Sequence, residues 1–192
     1  MLAYVLTFGR IVLAGVFAAC LAAMDASGEL TAAATAALAT LAILEELSDI
    51  FDGMAARRAG TVTDLGGILD PLADSLSRLT IYFAMAMAGW VSLAVPFVMA
   101  GRDIVVAYAR IACAASGVST SARTSGKIKA VVQGAGMIAL ILLAGTPIRE
   151  AAGGSTAGIR TGVEVAVVAV TAWSLVDYVR AAWPAVKKMS GR

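Results

Sequence analysis

Hydrophobic residues form six long runs along this chain, separated by short polar stretches. The runs cover residues 6–24, 31–47, 65–88, 91–115, 128–144 and 163–183. Each is close to the roughly 20 residues that an α-helix needs to cross the hydrocarbon core of a bilayer. The polar stretches 25–30, 57–64, 116–126 and 146–162 are predicted to be loops, because they collect charged residues, Gly, Ser and Thr. The pattern predicts an all-α integral membrane bundle of six transmembrane helices.

The composition agrees with this prediction. Of the 192 residues, 60% are hydrophobic and 15% are charged, whereas a soluble domain has about 25% charged residues. The net charge of +2 is too small to indicate a nucleic-acid partner. The chain has no histidine, so acid–base or metal chemistry must use carboxylates or other groups. Without a separate polar domain or long linker, residues 1–192 are expected to form a single membrane domain.

Basic residues favour one side of the predicted membrane. The larger group consists of Arg57, Arg58, Arg123, Lys127, Lys129, Lys187, Lys188 and Arg192. The other side receives only Arg149 and Arg160, together with acidic residues. Because positive residues stay on the cytoplasmic side, both termini are predicted to be cytoplasmic.

Acidic residues are concentrated near that cytoplasmic face, and seven of the 13 lie between residues 45 and 74. Asp49 and Asp52 are three residues apart, and Asp70 and Asp74 are four apart, so each pair shares a helix face. If the second and third helices are antiparallel neighbours, the four carboxylates converge. Divalent cations would offset the cost of such a cluster, and oxygen ligands favour Mg²⁺, Mn²⁺ or Ca²⁺. Two such ions could bind a diphosphate.

Other residues in this stretch suit the same chemistry. Gly53 and Ala56 would let a flat group approach the backbone, and Arg57 could pair with a phosphate. Gly66, four residues before Asp70, would allow close packing or ligand access. A structural carboxylate cluster, or the ion pathway of a transporter, remains an alternative at this point. Glu45 and Glu46 are expected to be interfacial or ion-paired rather than metal ligands.

The spacing of these residues resembles a known enzyme signature, D-x2-D-G-x2-A-R-x8-G-x3-D-x3-D. Its eight fixed positions are Asp49, Asp52, Gly53, Ala56, Arg57, Gly66, Asp70 and Asp74. By this match the chain is identified as a member of the CDP-alcohol phosphotransferase family. The resemblance also covers the layout, because the family places this motif across the second and third of six membrane spans.

The resemblance implies a reaction and a set of roles. Family members transfer a substituted phosphoryl group from a CDP-linked donor, here CDP-diacylglycerol, to an alcohol and release CMP. Two Mg²⁺ or Mn²⁺ ions are implied, one held by Asp49, Asp52 and Asp70 and the other by Asp49, Asp70 and Asp74. Asp74 would also be the general base. The CDP moiety would be held by Gly53, Ala56, Arg57 and Gly66. A homodimer in the bacterial inner membrane, with its active site facing the cytoplasm, is likewise implied.

Further segments resemble those of bacterial phosphatidylglycerophosphate synthases. They contribute five candidate ligands for a small anionic acceptor such as glycerol 3-phosphate: Arg10, Arg102, Arg110, Lys127 and Lys129. Those synthases usually have Thr at the position of Ala130 and more often have Glu at the position of Asp103. Cardiolipin synthases and inositol-phosphate-type synthases therefore remain alternatives.

Two expectations concern the last hydrophobic run. Tyr178, like Trp173 and Trp183, is expected to anchor the chain at the membrane interface. Asp177 and Arg180 are three residues apart on one helix and are expected to pair.

Overall fold

The computed structural model describes residues 2–25, 30–59, 64–118, 123–146, 148, 151 and 153–191. At 2–7, 25, 49–59, 64–65, 67–68 and 153 it describes the backbone without the side chains. In these ranges the protein is all-helical, with no strand. Its six long α-helices are α1 (Leu2–Asp25), α2 (Ala32–Ala59), α3 (Asp64–Met87), α4 (Ala94–Ala115), α5 (Thr124–Ala144) and α6 (Thr156–Met189). A short 3₁₀ helix, Gly153–Ser155, precedes α6.

Each of the six hydrophobic runs is confirmed as a helix, but three predicted loops are partly wrong. Helix α2 continues to Ala59, α5 begins at Thr124 and α6 begins at Thr156. Parts of 57–64, 116–126 and 146–162 are therefore helical. A loss of hydrophobicity marks where a helix leaves the apolar environment. The backbone hydrogen bonds continue beyond that point, because residues such as Ala and Arg favour the helix.

Two helices end in turns that require glycine. Gly89 follows α3 and Gly117 follows α4, with φ of 74° and 71°. In each turn the next residue donates its N–H to a carbonyl five residues earlier, Trp90 to Met85 and Val118 to Cys113. This left-handed arrangement stops a helix sharply because glycine has no Cβ to clash.

The helices pack as two groups of three. Helix α1 packs against α2 and α3, and α6 packs against α4 and α5. Contacts of α2 with α5, and of α3 with α4 and α5, join the two groups. The largest apolar cluster includes Phe17, Leu38, Met85, Met99 and Leu140, so it draws on both groups. The polar residues described below lie along this junction.

The outside of the bundle is strongly apolar. Phe97, Ile104, Tyr108 and Ile111 are all exposed on α4, at spacings that place them on one face. Soluble monomers rarely expose contiguous apolar patches of this kind, whereas lipid accepts them.

Two helices, α5 and α6, are long and apolar enough on their own to cross a membrane, among the residues the structure describes. Helix α6, with 34 residues, is about 51 Å long at 1.5 Å per residue, more than the roughly 30 Å hydrocarbon core. Helices α2, α3 and α4 carry more charged residues, most of which belong to the candidate site.

Candidate active site

Helices α2 and α3 are joined by buried polar contacts. The Ser77 hydroxyl donates a hydrogen bond of 2.5 Å to Glu45. Arg78 donates two hydrogen bonds of 2.9 Å to the two carboxylate oxygens of Glu46 and one of 3.1 Å to Asp74. Glu45 and Arg78 are 1% and 3% exposed. The expectation that Glu46 is ion-paired is confirmed, and Glu45 is buried rather than interfacial.

These contacts set the relative register of the two helices. Glu45 lies 14 residues before the end of α2 at Ala59, and Ser77 lies 13 residues after the start of α3 at Asp64. The contacts therefore lie at similar distances from the end of α2 and the start of α3, as in an antiparallel pair that meets through side chains rather than through closely packed backbones. For antiparallel axes, the helical rise would bring the backbone of Asp49, four residues further along α2, to about the level of Asp74, three residues back along α3. One turn beyond, the same rise would bring Asp52 to about the level of Asp70.

The motif residues are thus only partly described. Asp70 is exposed, and Asp74 and Gly66 are half-buried. Asp49, Asp52, Gly53, Ala56 and Arg57 lie on the helical backbone of α2, and their side chains are outside the described part of the structure. We call Glu45, Glu46, Ser77, Arg78 and the four motif aspartates the carboxylate region.

The carboxylate region suits a hard divalent cation by its donor chemistry. Its candidate ligands are all carboxylate oxygens, which Mg²⁺ and Mn²⁺ prefer, and they contain no Cys or His. No group of three or more acidic, Cys or His side chains that could hold a metal lies among the described side chains, which include only Asp70 and Asp74 of the quartet. The metal-binding role of the quartet therefore stays a prediction, based on the spacing of the four aspartates.

A second polar cluster lies between α4, α5 and α6. Arg102 donates to Asp103 at 2.8 Å and to Ser174 at 2.8 Å. Lys129 donates to the same oxygen of Asp103 at 3.3 Å. Arg102 and Lys129 are 7% and 5% exposed. One carboxylate therefore holds two buried cations from different helices.

Tyr178 and Asp177 on α6 complete this cluster. The Tyr178 ring lies against the guanidinium groups of both Arg102 and Arg110, at 5.0 and 5.5 Å from the ring centroid. Asp177 accepts hydrogen bonds from Nε and Nη2 of Arg123 at 2.6 and 2.7 Å, and one from Ser125. The hydrogen bond with Asp177 raises the pKa of the Arg123 guanidinium. We call Arg102, Asp103, Arg110, Lys129 and Tyr178 the basic pocket.

Two expectations for α6 are wrong. Tyr178 is 5% exposed, so it is not an interfacial anchor, whereas Trp173 and Trp183 are exposed and their role as anchors stays a prediction. Asp177 makes its hydrogen bonds with Arg123 and Ser125, and Arg180 adds only an electrostatic attraction. Helical spacing indicated the neighbour on α6, but packing against α5 supplied a better bidentate partner.

The basic pocket and the carboxylate region adjoin each other. Lys129 interacts electrostatically with both Asp74 and Arg78. The side chains of Ser75 and Asp103 are hydrogen-bonded, which connects α3 to α4. Lys129 of one cluster therefore interacts electrostatically with Asp74, the proposed base, in the other.

The five candidate acceptor ligands do not all occupy the same place. Arg102, Arg110 and Lys129 come together in the basic pocket. Arg10 is fully buried in α1, within the other group of helices. Lys127 is exposed at the start of α5 and takes part in none of the described pairs of the pocket.

Some residues of these clusters were not singled out from the sequence. Arg78 follows Asp74 by four residues, so helical spacing could have indicated it. Tyr178 lies 68 residues from Arg110 and 55 from Arg123, and Asp177 lies 54 residues from Arg123. No local signal in the sequence could have indicated these pairings.

Comparison with known proteins identifies the family. A sequence profile described as CDP-alcohol phosphatidyltransferase matches residues 1–179. The chain belongs to the CDP-alcohol phosphatidyltransferase family. It is accordingly a transferase, and the resemblance drawn from the aspartate motif is confirmed. The family is generally dependent on divalent cations and takes a CDP-alcohol and an alcohol acceptor as substrates.

Several relatives carry names that specify a reaction. The chain is 31% identical over 178 residues to a probable phosphatidylglycerophosphate synthase of Mycobacterium tuberculosis, covering 93% of this chain and 79% of the relative. It is 32% identical over 147 residues to the CDP-diacylglycerol–glycerol-3-phosphate 3-phosphatidyltransferase of Pseudomonas fluorescens, covering 73% and 71%. A shorter match, 36% over 74 residues, links it to an archaetidylinositol phosphate synthase of Pyrococcus horikoshii, covering 38% and 39%.

Proposed function

We propose that this family member transfers a phosphatidyl group from CDP-diacylglycerol to glycerol 3-phosphate, releasing CMP and forming phosphatidylglycerophosphate. The observation that carries the proposal is that two regions of opposite charge lie close enough for Lys129 of one to interact electrostatically with Asp74 of the other. The first suits cations and a diphosphate, and the second suits an anionic acceptor. The names of the Mycobacterium and Pseudomonas relatives support the same reaction.

The donor would bind in the carboxylate region. The family motif assigns one divalent cation to Asp49, Asp52 and Asp70, and a second to Asp49, Asp70 and Asp74. When bound, these ions would neutralise the diphosphate and polarise the phosphorus under attack. Gly53, Ala56, Arg57 and Gly66 would hold the CDP moiety, for which the close approach of small residues and a cationic side chain are suited.

Asp74 is proposed as the general base. The acceptor hydroxyl gives its proton to a carboxylate oxygen of Asp74, and its oxygen attacks the β-phosphorus of the donor. The bond from that phosphorus to the oxygen shared with the cytidine phosphate breaks, and CMP leaves with the bonding electrons. Arg78 fixes the carboxylate through its 3.1 Å contact and is itself held by Glu46. A base that is held in line with the hydroxyl gives a faster reaction than a mobile one, because less orientational freedom is lost in the transition state.

The charge of the basic pocket favours a phosphate monoester as acceptor. The basic pocket contains three cationic side chains and one carboxylate, so its net charge is +2. A phosphate monoester carries about −1.5 to −2 at neutral pH, whereas a phosphodiester such as phosphatidylglycerol carries a single negative charge. Glycerol 3-phosphate therefore fits the pocket better than the acceptor of a cardiolipin synthase.

An inositol-phosphate acceptor remains the second candidate, because it is also a phosphate monoester. The name of the Pyrococcus relative favours this reading, although the match covers only 38% of the chain. The transporter alternative loses its support, since family membership accounts for the carboxylates as part of an enzyme.

We further propose how the protein sits in the cell. Residues 1–192 would form a single membrane domain whose six helices all cross a bacterial inner membrane. The ends carrying the basic residues and the carboxylate region would face the cytoplasm, as the charge distribution indicates. The apolar outer face of α4 suits the bilayer. The family resemblance supports a homodimer.

The reaction is tested with purified protein in lipid, given CDP-diacylglycerol and Mg²⁺ or Mn²⁺. The acceptors compared are glycerol 3-phosphate, inositol phosphate, phosphatidylglycerol and glycerol. CMP release is expected with glycerol 3-phosphate, and chelation of the divalent cation should abolish it. Release with inositol phosphate or phosphatidylglycerol, but not with glycerol 3-phosphate, would refute the proposed acceptor.

A further inference from the structure

Tyr178 is the aromatic side chain of the basic pocket, and it is buried. Its ring has an arginine from α4 at each of two contacts, Arg102 at 5.0 Å and Arg110 at 5.5 Å. A Cβ on Gly126 would lie 3.0 Å from the Tyr178 hydroxyl, so the glycine lets α5 approach closely. Such contacts hold two like-charged guanidinium groups on one helix close together.

The Tyr178 hydroxyl accepts two hydrogen bonds but donates none to a described residue. It accepts one hydrogen bond from Nη2 of Arg110 at 3.3 Å and another from the backbone N–H of Arg123 at 3.4 Å. A phenol has two acceptor positions and one hydrogen to donate. Among the described residues no acceptor for that hydrogen is present. Both of its partners are donors, so the hydrogen must point elsewhere.

Arg110 differs from the other cations of the basic pocket, because no described carboxylate holds it. Arg102 and Lys129 are held by Asp103, and Arg123 is held by Asp177. Within the part of the chain that the structure describes, Arg110 has Tyr178 as its hydrogen-bond partner and no carboxylate. A donor hydroxyl and a guanidinium without a counter-charge therefore adjoin each other, as an anionic oxygen requires.

We propose that the Tyr178 hydroxyl donates a hydrogen bond to a phosphate oxygen of the acceptor, which Arg110 binds at the same time. The inference rests on the proposed function for the identity of the acceptor. Accepting hydrogen bonds from two N–H groups polarises the hydroxyl and makes it a stronger donor. Tyr178 is then a binding residue for the acceptor phosphate, in addition to holding the arginines in place.

The first test replaces the hydroxyl alone. Tyr178→Phe keeps the ring between the two arginines and removes the donor. Its Kd for inorganic phosphate and for glycerol 3-phosphate, measured by calorimetry on the full chain in lipid nanodiscs, should rise roughly tenfold, as expected for a hydrogen bond to a charged group. In turnover, the KM for glycerol 3-phosphate should rise similarly, while kcat and the KM for CDP-diacylglycerol stay within about twofold.

Tyr108→Phe is the matched control, because Tyr108 is 70% exposed on the outer face of α4. It should leave every one of these constants unchanged. An unchanged phosphate Kd in folded Tyr178→Phe would overturn the inference, and so would a fall in kcat with no change in KM.

The second test uses the unaltered protein, so it does not depend on how the variant folds. The chain has four tyrosines, which are labelled with ¹³C at Cζ and observed by NMR. On titration with inorganic phosphate, the Tyr178 signal should shift along the same saturation curve as the binding heat, and the Tyr108 signal should not move. A stationary Tyr178 signal at saturating phosphate would overturn the inference.

The two proposals fail in different ways. If phosphate moves the Tyr178 signal but glycerol 3-phosphate supports no CMP release, the anion site stands and the proposed acceptor is wrong. If glycerol 3-phosphate is turned over and Tyr178→Phe binds it as tightly as the unaltered protein, the reaction stands and the role of Tyr178 is wrong.

Discussion

The carboxylate region and the basic pocket adjoin each other but are built in opposite ways. The first comes from two consecutive helices, and its four motif aspartates lie within residues 49–74. The second needs three helices, and its contacts link residues as far apart as Arg102 and Ser174. One region has an excess of negative charge and the other an excess of positive charge.

This difference shows how each region depends on the fold. In the carboxylate region, helical periodicity places each pair of aspartates on one face, and a short connection makes α2 and α3 antiparallel. In the basic pocket, α6 must dock against α4 and α5 before Tyr178 and Asp177 can hold three arginines. The first region should therefore tolerate loss of α6 contacts better than the second, and each should respond to a different set of substitutions.

The largest effect is expected from the proposed base. Asp74→Asn should lower kcat by about a thousandfold, because the amide cannot take the proton of the acceptor hydroxyl. Binding of CDP-diacylglycerol should largely survive, which equilibrium binding with a labelled donor measures alongside CMP release. Glu164→Gln is the control, since this residue pairs with Arg160 away from both regions. A kcat within tenfold of the unaltered protein would contradict the assignment of Asp74.

A smaller effect, confined to the acceptor, is expected from the basic pocket. Arg110→Gln should raise the KM for glycerol 3-phosphate roughly a hundredfold, as loss of a charge-assisted bond to a phosphate predicts. The KM for CDP-diacylglycerol should stay within about twofold, which steady-state CMP release determines. Arg180→Gln, an exposed arginine on α6, is the matched control. Equal changes for both substrates would show that the two regions are not separate sites.

A third prediction concerns the contact between the two helix groups. A Cβ at Gly134 would lie 2.6 Å from the Glu46 carboxylate carbon, so Gly134→Ala should displace Glu46 from Arg78. The free energy of unfolding should fall by about 1–3 kcal/mol, and kcat several-fold, because Arg78 also holds Asp74. Thermal unfolding and CMP release measure the two effects.

Two variants make this third prediction specific. Gly101→Ala is the control, since its Cβ would meet nothing within 4 Å. In a Glu46→Gln background, Gly134→Ala should lower the free energy of unfolding and kcat by less than it does in the unaltered protein, because both changes act on one ion pair. Fully additive losses would show that Gly134 matters only for packing.

The smallest effect is expected at Lys127. This residue was a candidate acceptor ligand, but it is exposed and lies outside the described pairs of the basic pocket. Lys127→Ala should change the KM for glycerol 3-phosphate less than about threefold, consistent with a surface charge. A tenfold rise in that KM would contradict this prediction and show that Lys127, at the start of α5, contributes to acceptor binding.

Much of the fold was predictable from the sequence. Six hydrophobic runs gave six helices, because a helix that buries its backbone hydrogen bonds in an apolar environment needs a long apolar segment. The helix ends were less predictable. The hydrophobic run ends at residue 47, whereas α2 continues to Ala59 and contains the first five fixed positions of the motif.

The carboxylate chemistry is a prediction that needs only the amino-acid sequence. Asp49, Asp52, Asp70 and Asp74 have spacings that helix geometry converts directly into shared faces, and an oxygen-only donor set limits the metals. These properties depend on neighbours a few residues apart. The absence of histidine strengthened the same conclusion, because it left carboxylates as the natural acid–base groups.

Helix packing sets which cations form the basic pocket and which residues hold them. Helical spacing predicted that Asp177 pairs with Arg180, and apolar surroundings predicted that Tyr178 lies at the membrane interface. Docking of α6 instead buried Tyr178 between two arginines and gave Asp177 a bidentate partner in Arg123, just before α5. Pairings over 50 residues or more depend on how helices pack, and side-chain periodicity within one helix carries no information about its partner.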